Sequence, residues 1–87
     1  MVATREEVYA AIDSELVYQV NLWGTDGVSN PLLIGEFLTL LDVYVRKAQE
    51  EWTVEPKPEM NALNTVRKIA GIAVNCMEQH GAPCRIP

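Results

Sequence analysis

Arg67 and Lys68, with Asn64 one helical turn earlier, are the residues of this chain best suited to chemistry on a small molecule. A guanidinium grips phosphate through two parallel N–H donors, and a neighbouring ammonium adds a point charge. Trp23, Tyr18 and Tyr44 offer flat faces on which a base can stack, and Gln19 offers a hydrogen-bonding edge. The predicted ligand-binding set is therefore Arg67, Lys68, Asn64, Trp23, Tyr18 and Gln19. On this reading Arg67→Ala weakens binding and leaves folding intact. The competing reading has Arg67 and Lys68 pair with acids of the first helix while the aromatics fill the core.

Other reactive groups lack the company that chemistry needs. Cys76, His80 and Cys84 follow one another at four-residue steps, but three ligands leave a structural zinc one short, and no paired C-x-x-C half is present. No metal is expected there. Cys76 falls in mid-helix among packing residues, where a thiol is unreactive, and Ser14 and Ser29 lie in no motif that exposes a nucleophile. Gly24 and Gly27 lack the lysine and the spacing of a phosphate loop. The sequence therefore predicts no catalytic residue and no cofactor. Glu6, Glu7, Asp13, Glu15, Glu36 and Asp42 remain as material for a magnesium site held between helices.

Charge narrows the partners. The chain carries a net charge of -5, which repels a phosphate backbone and argues against nucleic acid. Residues 1 to 45 hold Arg5 as their one base against seven acids, whereas residues 46 to 87 hold six bases against five acids. No segment resembles a signal peptide, and no apolar run approaches the ~20 residues that span a bilayer. A cytoplasmic protein with no membrane partner and two free thiols is expected.

The elements that must position these groups are helices. Thr4-Arg5-Glu6-Glu7 is a capping box that opens a helix over about 5–23, with Val8, Ala11, Ile12, Leu16, Gln19, Val20 and Trp23 on its packed stripe. Gly24 to Pro31 is a loop, with Asn30 and Pro31 opening a second helix over about 31–52. Its wide apolar face (Leu33, Ile34, Phe37, Leu38, Leu40, Leu41, Tyr44, Val45, Ala48 and Trp52) marks it as the central helix. Gly35 within it fits either a close approach by another segment or tolerance near an end. Pro56 and Pro58 break the chain, and a third helix follows over about 61–80, capped by Gly81 and trailed by 81–87. That helix carries a stripe of Leu63, Val66, Ala70, Ala73, Val74 and Met77, nearly bare of bulk at its middle, where another backbone can approach. One all-α domain results, 1–87, a three-helix up-down-up unit. A chain this short buries only roughly 60 to 65 percent of its unfolded surface. With 48% apolar residues, a symmetric homo-oligomeric bundle is the expected outlet for the surplus.

Ala10 to Glu15, Gly35-Glu36-Phe37-Leu38 and the run from Arg67-Lys68-Ile69-Ala70 to Cys76-Met77-Glu78-Gln79-His80-Gly81-Ala82-Pro83 resemble a small phage-encoded, all-helical accessory family. The resemblance covers nearly the whole chain and implies a host bacterial cytoplasm. What it implies is an accessory protein; by analogy with small helical phage proteins that act by binding, and on the basic and aromatic set above, the expected function is non-enzymatic binding of a small anionic, nucleotide-derived ligand, such as a bacterial immune signal, at a site between chains. In size and helical character the chain is also similar to the all-α MazG-like nucleotide pyrophosphohydrolases, whose E-E-x-x-E and E-x-x-D pairs it breaks at Ala10 and Thr39. A magnesium-dependent pyrophosphohydrolase built on Glu15, Glu36 and Asp42 is one alternative function. An interaction protein that inhibits a host enzyme is the other.

Overall fold

A computed structural model describes residues 2–23, 32–54 and 59–86, the side chains of residues 22 and 23 excepted. Among the described residues there are three helices and no strand: α1 (Arg5–Trp23), α2 (Ile34–Trp52) and α3 (Glu59–His80).

Local chemistry sets the ends. The Thr4 amide donates to Glu7 Oε1 and the Glu7 amide donates to Thr4 Oγ1, each at 3.1 Å, which closes the capping box of α1. The two bonds from Thr4, its backbone first and then its hydroxyl, hold the Glu7 carboxyl below the usual carboxylate range. At the head of α2 the Leu33 amide donates to Glu36 Oε1 at 2.8 Å. α2 starts at Ile34 behind an extended Leu33, later than the expected opening at about 31; Asn30 and Pro31 themselves lie outside the described residues, as does the Pro56–Pro58 break. Gly81 ends α3 with φ at 123°, and its amide donates to the Met77 carbonyl at 2.7 Å. Only glycine takes that conformation cheaply.

The centre of the molecule is α3, not α2. It packs against both other helices, more extensively against α2, while α1 and α2 do not pack on each other among the described residues. The wide apolar face of α2 misled the sequence reading because part of it stays outside the chain's own core. Phe37, at 3% exposed, is the buried residue of α2, with Leu40, Leu41, Tyr44 and Ala48 half-buried on the same side. Ile34, Leu38 and Val45 are exposed. On α3, Ile72 and Thr65 are buried. The Thr65 hydroxyl donates to Glu51 Oε1 at 2.5 Å, and the Leu32 amide donates to Gln79 Oε1 at 3.1 Å. His80 Nε2 lies 2.6 Å from the Leu32 carbonyl, with its ring edge-on to Phe37 at 6.1 Å. The head of α2 thus meets the tail of α3, and the tail of α2 meets the first half of α3, so the two helices run in opposite senses.

The packed stripe of α1 is the expected one in part, at Ile12, Leu16 and Gln19, with Glu15 added to it. Ile12 and Leu16 are half-buried and Glu15 and Gln19 fully buried, whereas Val8, Ala11 and Val20 are exposed. The reason lies at Gly71 of α3. A Cβ built there would sit 2.9 Å from both Glu15 Cγ and Gln19 Nε2, so the missing side chain is what lets the two long polar residues lie flat against α3. Gly35 is a contrast, with open space around it; its place in the first turn of α2 reflects tolerance and not close approach.

Two measurements check this account. Gly71→Val should lower stability by about 1–3 kcal/mol in urea unfolding through overpacking, whereas Gly35→Ala should raise it by about 0.5 kcal/mol. In an NMR titration, Glu7 should ionise at a lower pH than free glutamate. Its helix-capping contribution is then present above the ordinary carboxylate pKa and fades as the pH falls through the depressed one, and Thr4→Ala, which removes the hydroxyl and keeps the backbone donor, should move the midpoint part of the way back up.

Candidate functional site

The α1–α3 seam is held by a polar chain rather than by an apolar one. Asn75 Nδ2 donates to Gln19 Oε1 at 2.6 Å, and Gln19 Nε2 donates to Glu15 Oε2 at 3.1 Å. Arg67 Nε donates to Glu15 Oε1 at 3.0 Å, and Arg67 Nη1 donates to Asn64 Oδ1 at 2.7 Å. Glu15 is 3% exposed and Gln19 is 3% exposed, so each oxygen and nitrogen withdrawn from water must find a partner here, and each does. Residues 15 and 19 meet 67 and 75 in ascending order, so α1 and α3 run in the same sense.

Beside this chain lies an open cavity of about 380 Å³ lined by Ser14, Glu15, Tyr18, Asn64, Arg67 and Lys68. Tyr18, Asn64, Arg67 and Lys68 of the predicted set are brought together in it. Gln19 is not; it is buried behind the wall, with its amide spent on Glu15 and Asn75. Trp23 closes α1, but its side chain lies outside the described residues. Tyr44, the other aromatic considered, lies on α2 with Lys47 Nζ 5.8 Å from its ring centre. Ser14 and Glu15 were not anticipated as lining. The one sequence signal for Glu15 is its four-residue step to Gln19 on a stripe shared with Ile12 and Leu16, which reads as amphipathic only if the polar pair is allowed inside.

The electrostatics of the cavity follow from the bonding. Arg67 and Lys68 bring two positive charges and Glu15 one negative. Glu15 and Asn64 occupy Arg67 Nε and Nη1, while Arg67 Nη2 and Lys68 Nζ make no hydrogen bond or ion pair among the described residues. The outcome is a surplus cationic edge above a neutralised floor, which suits an anion. It also corrects the expectation that Arg67 is dispensable for folding, because its guanidinium is the counter-charge to a buried carboxylate.

The carboxylates of the magnesium alternative do not converge. Glu15 is bound to Arg67, Glu36 caps Leu33, and Asp42 pairs with Arg46 at 3.2 Å on an exposed face. Among the described residues no three of His, Cys, Asp and Glu are grouped so as to hold a metal ion, and Cys76, His80 and Cys84 are not drawn together. Nor is any described helix long and apolar enough to cross a membrane. Comparison with protein-family models, with curated proteins and with solved structures yields no match to this chain.

A double-mutant cycle tests the seam. Arg67→Ala should cost roughly 1–3 kcal/mol in chemical unfolding, since it leaves Glu15 charged and unpaired at low exposure. Adding Glu15→Gln to it should recover part of that loss, because the orphaned charge is gone. Purely additive losses would mean that the pair is not coupled.

Proposed function

We propose that this chain is a non-enzymatic accessory protein, of the small phage-encoded helical kind it resembles, that self-associates in the bacterial cytoplasm and holds a small anionic, nucleotide-derived ligand. The observation that carries the ligand reading is the α1–α3 cavity. It gathers Arg67, Lys68, Asn64 and Tyr18, and its cationic edge is unspent among the described residues. Its volume of about 380 Å³ falls within the span usual for single small-ligand sites. In this assignment Lys68 Nζ and Arg67 Nη2 take the phosphate, Asn64 holds the guanidinium at its angle, and the exposed Tyr18 ring lies against the base. The sequence reading expects such a site between chains; one protomer already brings the six lining residues together, and we assign the ligand to the cavity they form. The paired order of the helix contacts supports the up-down-up arrangement of that protomer.

The pyrophosphohydrolase alternative has the weaker support, since Glu15, Glu36 and Asp42 are each engaged at separate places. A sequestering protein returns its ligand unchanged, and a hydrolase releases pyrophosphate.

Lys68→Ala is the clean probe, because Lys68 makes no hydrogen bond or ion pair among the described residues. Calorimetry with a panel of nucleoside phosphates and cyclic dinucleotides should find at least one ligand that binds unchanged, and Lys68→Ala should weaken it about tenfold or more with helicity retained. No binding across the panel and in inorganic phosphate, or equal affinity for the variant, would remove this reading of the cavity.

A further inference from the structure

We infer that the side of the α2–α3 pair turned away from α1 is the face on which a second copy of this chain docks, helix against helix, leaving the cavity outside the interface. The inference rests on the self-association proposed above and is independent of the ligand.

The first observation is one of area. The chain exposes 7008 Å², whereas a compact monomer of its 9.7 kDa exposes about 5,100 Å². The radius of gyration is 14.3 Å, against about 12 Å for a compact domain of this length. The excess is roughly 1,900 Å², more than twice the ~800 Å² that each partner contributes to a stable interface.

The second observation is that one connected part of the exposed apolar surface lies along α2 and α3. At 100° per residue, α3 turns Thr65 and Ile72 to α2, and Arg67, Gly71 and Asn75 to α1. The remaining sector holds Leu63, Val66, Ala70, Ala73 and Met77, spaced three, four, three and four residues apart, which is the period of a helix-pairing seam. Leu63, Val66 and Met77 are exposed, and the small Ala70 and Ala73 between them lie half-buried. On α2, Ile34, Leu38, Leu41 and Val45 repeat the spacing at four, three and four. Because the two helices run in opposite senses, the 100° step carries the exposed Ile34, Leu38 and Val45 to the same side as the α3 seam. One continuous apolar face spans both helices.

The third observation is charge. Two chains of net charge -5 repel each other unless the contact surface is neutral. From Leu63 to Met77 on α3 and from Ile34 to Val45 on α2 no acidic or basic residue stands on the seam, the acidic Glu59 lying on its line one turn before Leu63, and small residues at its middle allow the close approach that helix pairing requires. A two-fold contact through this face would complete a four-helix core from α2 and α3 of each copy, and it would carry one cavity on each outer flank.

The test is sedimentation velocity of the full chain, with Leu63→Glu and Leu38→Glu compared with Val17→Glu on α1. The three positions are 58%, 59% and 61% exposed in the single chain, so each variant should keep its helicity. The wild type and Val17→Glu should sediment as the same assembly, while Leu63→Glu and Leu38→Glu should weaken association about a hundredfold or more. As a check needing no substitution, isotope-filtered NMR on mixed labelled and unlabelled wild type should place intermolecular contacts on the Leu38, Leu63 and Val66 methyls. Contacts centred instead on α1, or an assembly unchanged by both glutamates, would overturn the assigned face while sparing self-association. A monomeric wild type at about 100 µM, well above the micromolar affinities of weak interfaces, would overturn both and leave the ligand reading standing.

Discussion

The carboxylate of Glu15 is the constraint on which the rest of this small fold depends. Taking a charge to 3% exposure is expensive unless it is paired and hydrogen-bonded. Here both of its oxygens are met, one by Arg67 and one by Gln19, and Gln19 is in turn met by Asn75. The geometry requires a bare spot on α3 for the two side chains to lie on, and Gly71 supplies it. It also fixes Arg67 in one pose, because Asn64 takes a second nitrogen of the same guanidinium. A single polar chain therefore sets the register of α1 on α3 and the shape of one wall of the cavity. An apolar seam would have held the helices as well without aiming a cation at solvent.

How much of this was legible in the sequence depends on the range of the interaction. Thr4 and Glu7 form their reciprocal bonds within one turn, and Gly81 ends α3 by a conformation that belongs to one residue, so both are written locally. Arg67 and Asn64 share a helix and a three-residue step, and their association could be read in the same way. The pairing of Glu15 with Arg67 spans 52 residues and leaves no periodic trace. Because it brings Glu15 onto the buried stripe of α1, it shifts that stripe away from Val8, Ala11 and Val20, which were expected to pack, while Ile12, Leu16 and Gln19 stay on it. The central place of α3 was missed for a related reason. Apolar density identified α2, but a helix lies at the centre when it can be approached from several sides, and that favours the small residues of α3.

The burial inside one chain is modest. Phe37 and Ile72 are its fully buried apolar side chains among the described residues, each worth about 1.5–3 kcal/mol when withdrawn from water. Against the ordering cost of a chain this long, that is a small return. Hydrogen bonds between side chains carry an unusual share of the contacts between helices, at Thr65–Glu51, Asn75–Gln19 and Arg67–Glu15. Such bonds specify register well and add little net stability each. The exposed seam on α2 and α3 is therefore where a chain of this composition has room to gain what its interior does not supply.

α3 is consequently a helix with three obligations around one circumference. Thr65, Ile72 and Gln79 answer to α2, and Arg67, Gly71 and Asn75 answer to α1. Leu63, Val66, Ala70, Ala73 and Met77 form the sector left for the proposed second copy. With 3.6 residues per turn, little is left over that is free of all three. Lys68 sits at a boundary between sectors, where it lines the cavity without bonding to either neighbouring helix. The charge at that position makes no ion pair or hydrogen bond among the described residues. In the proposed ligand reading Lys68 offers its charge to the phosphate, and it supports that reading more firmly than the more conspicuous Arg67, whose guanidinium is already bound to Glu15 and Asn64.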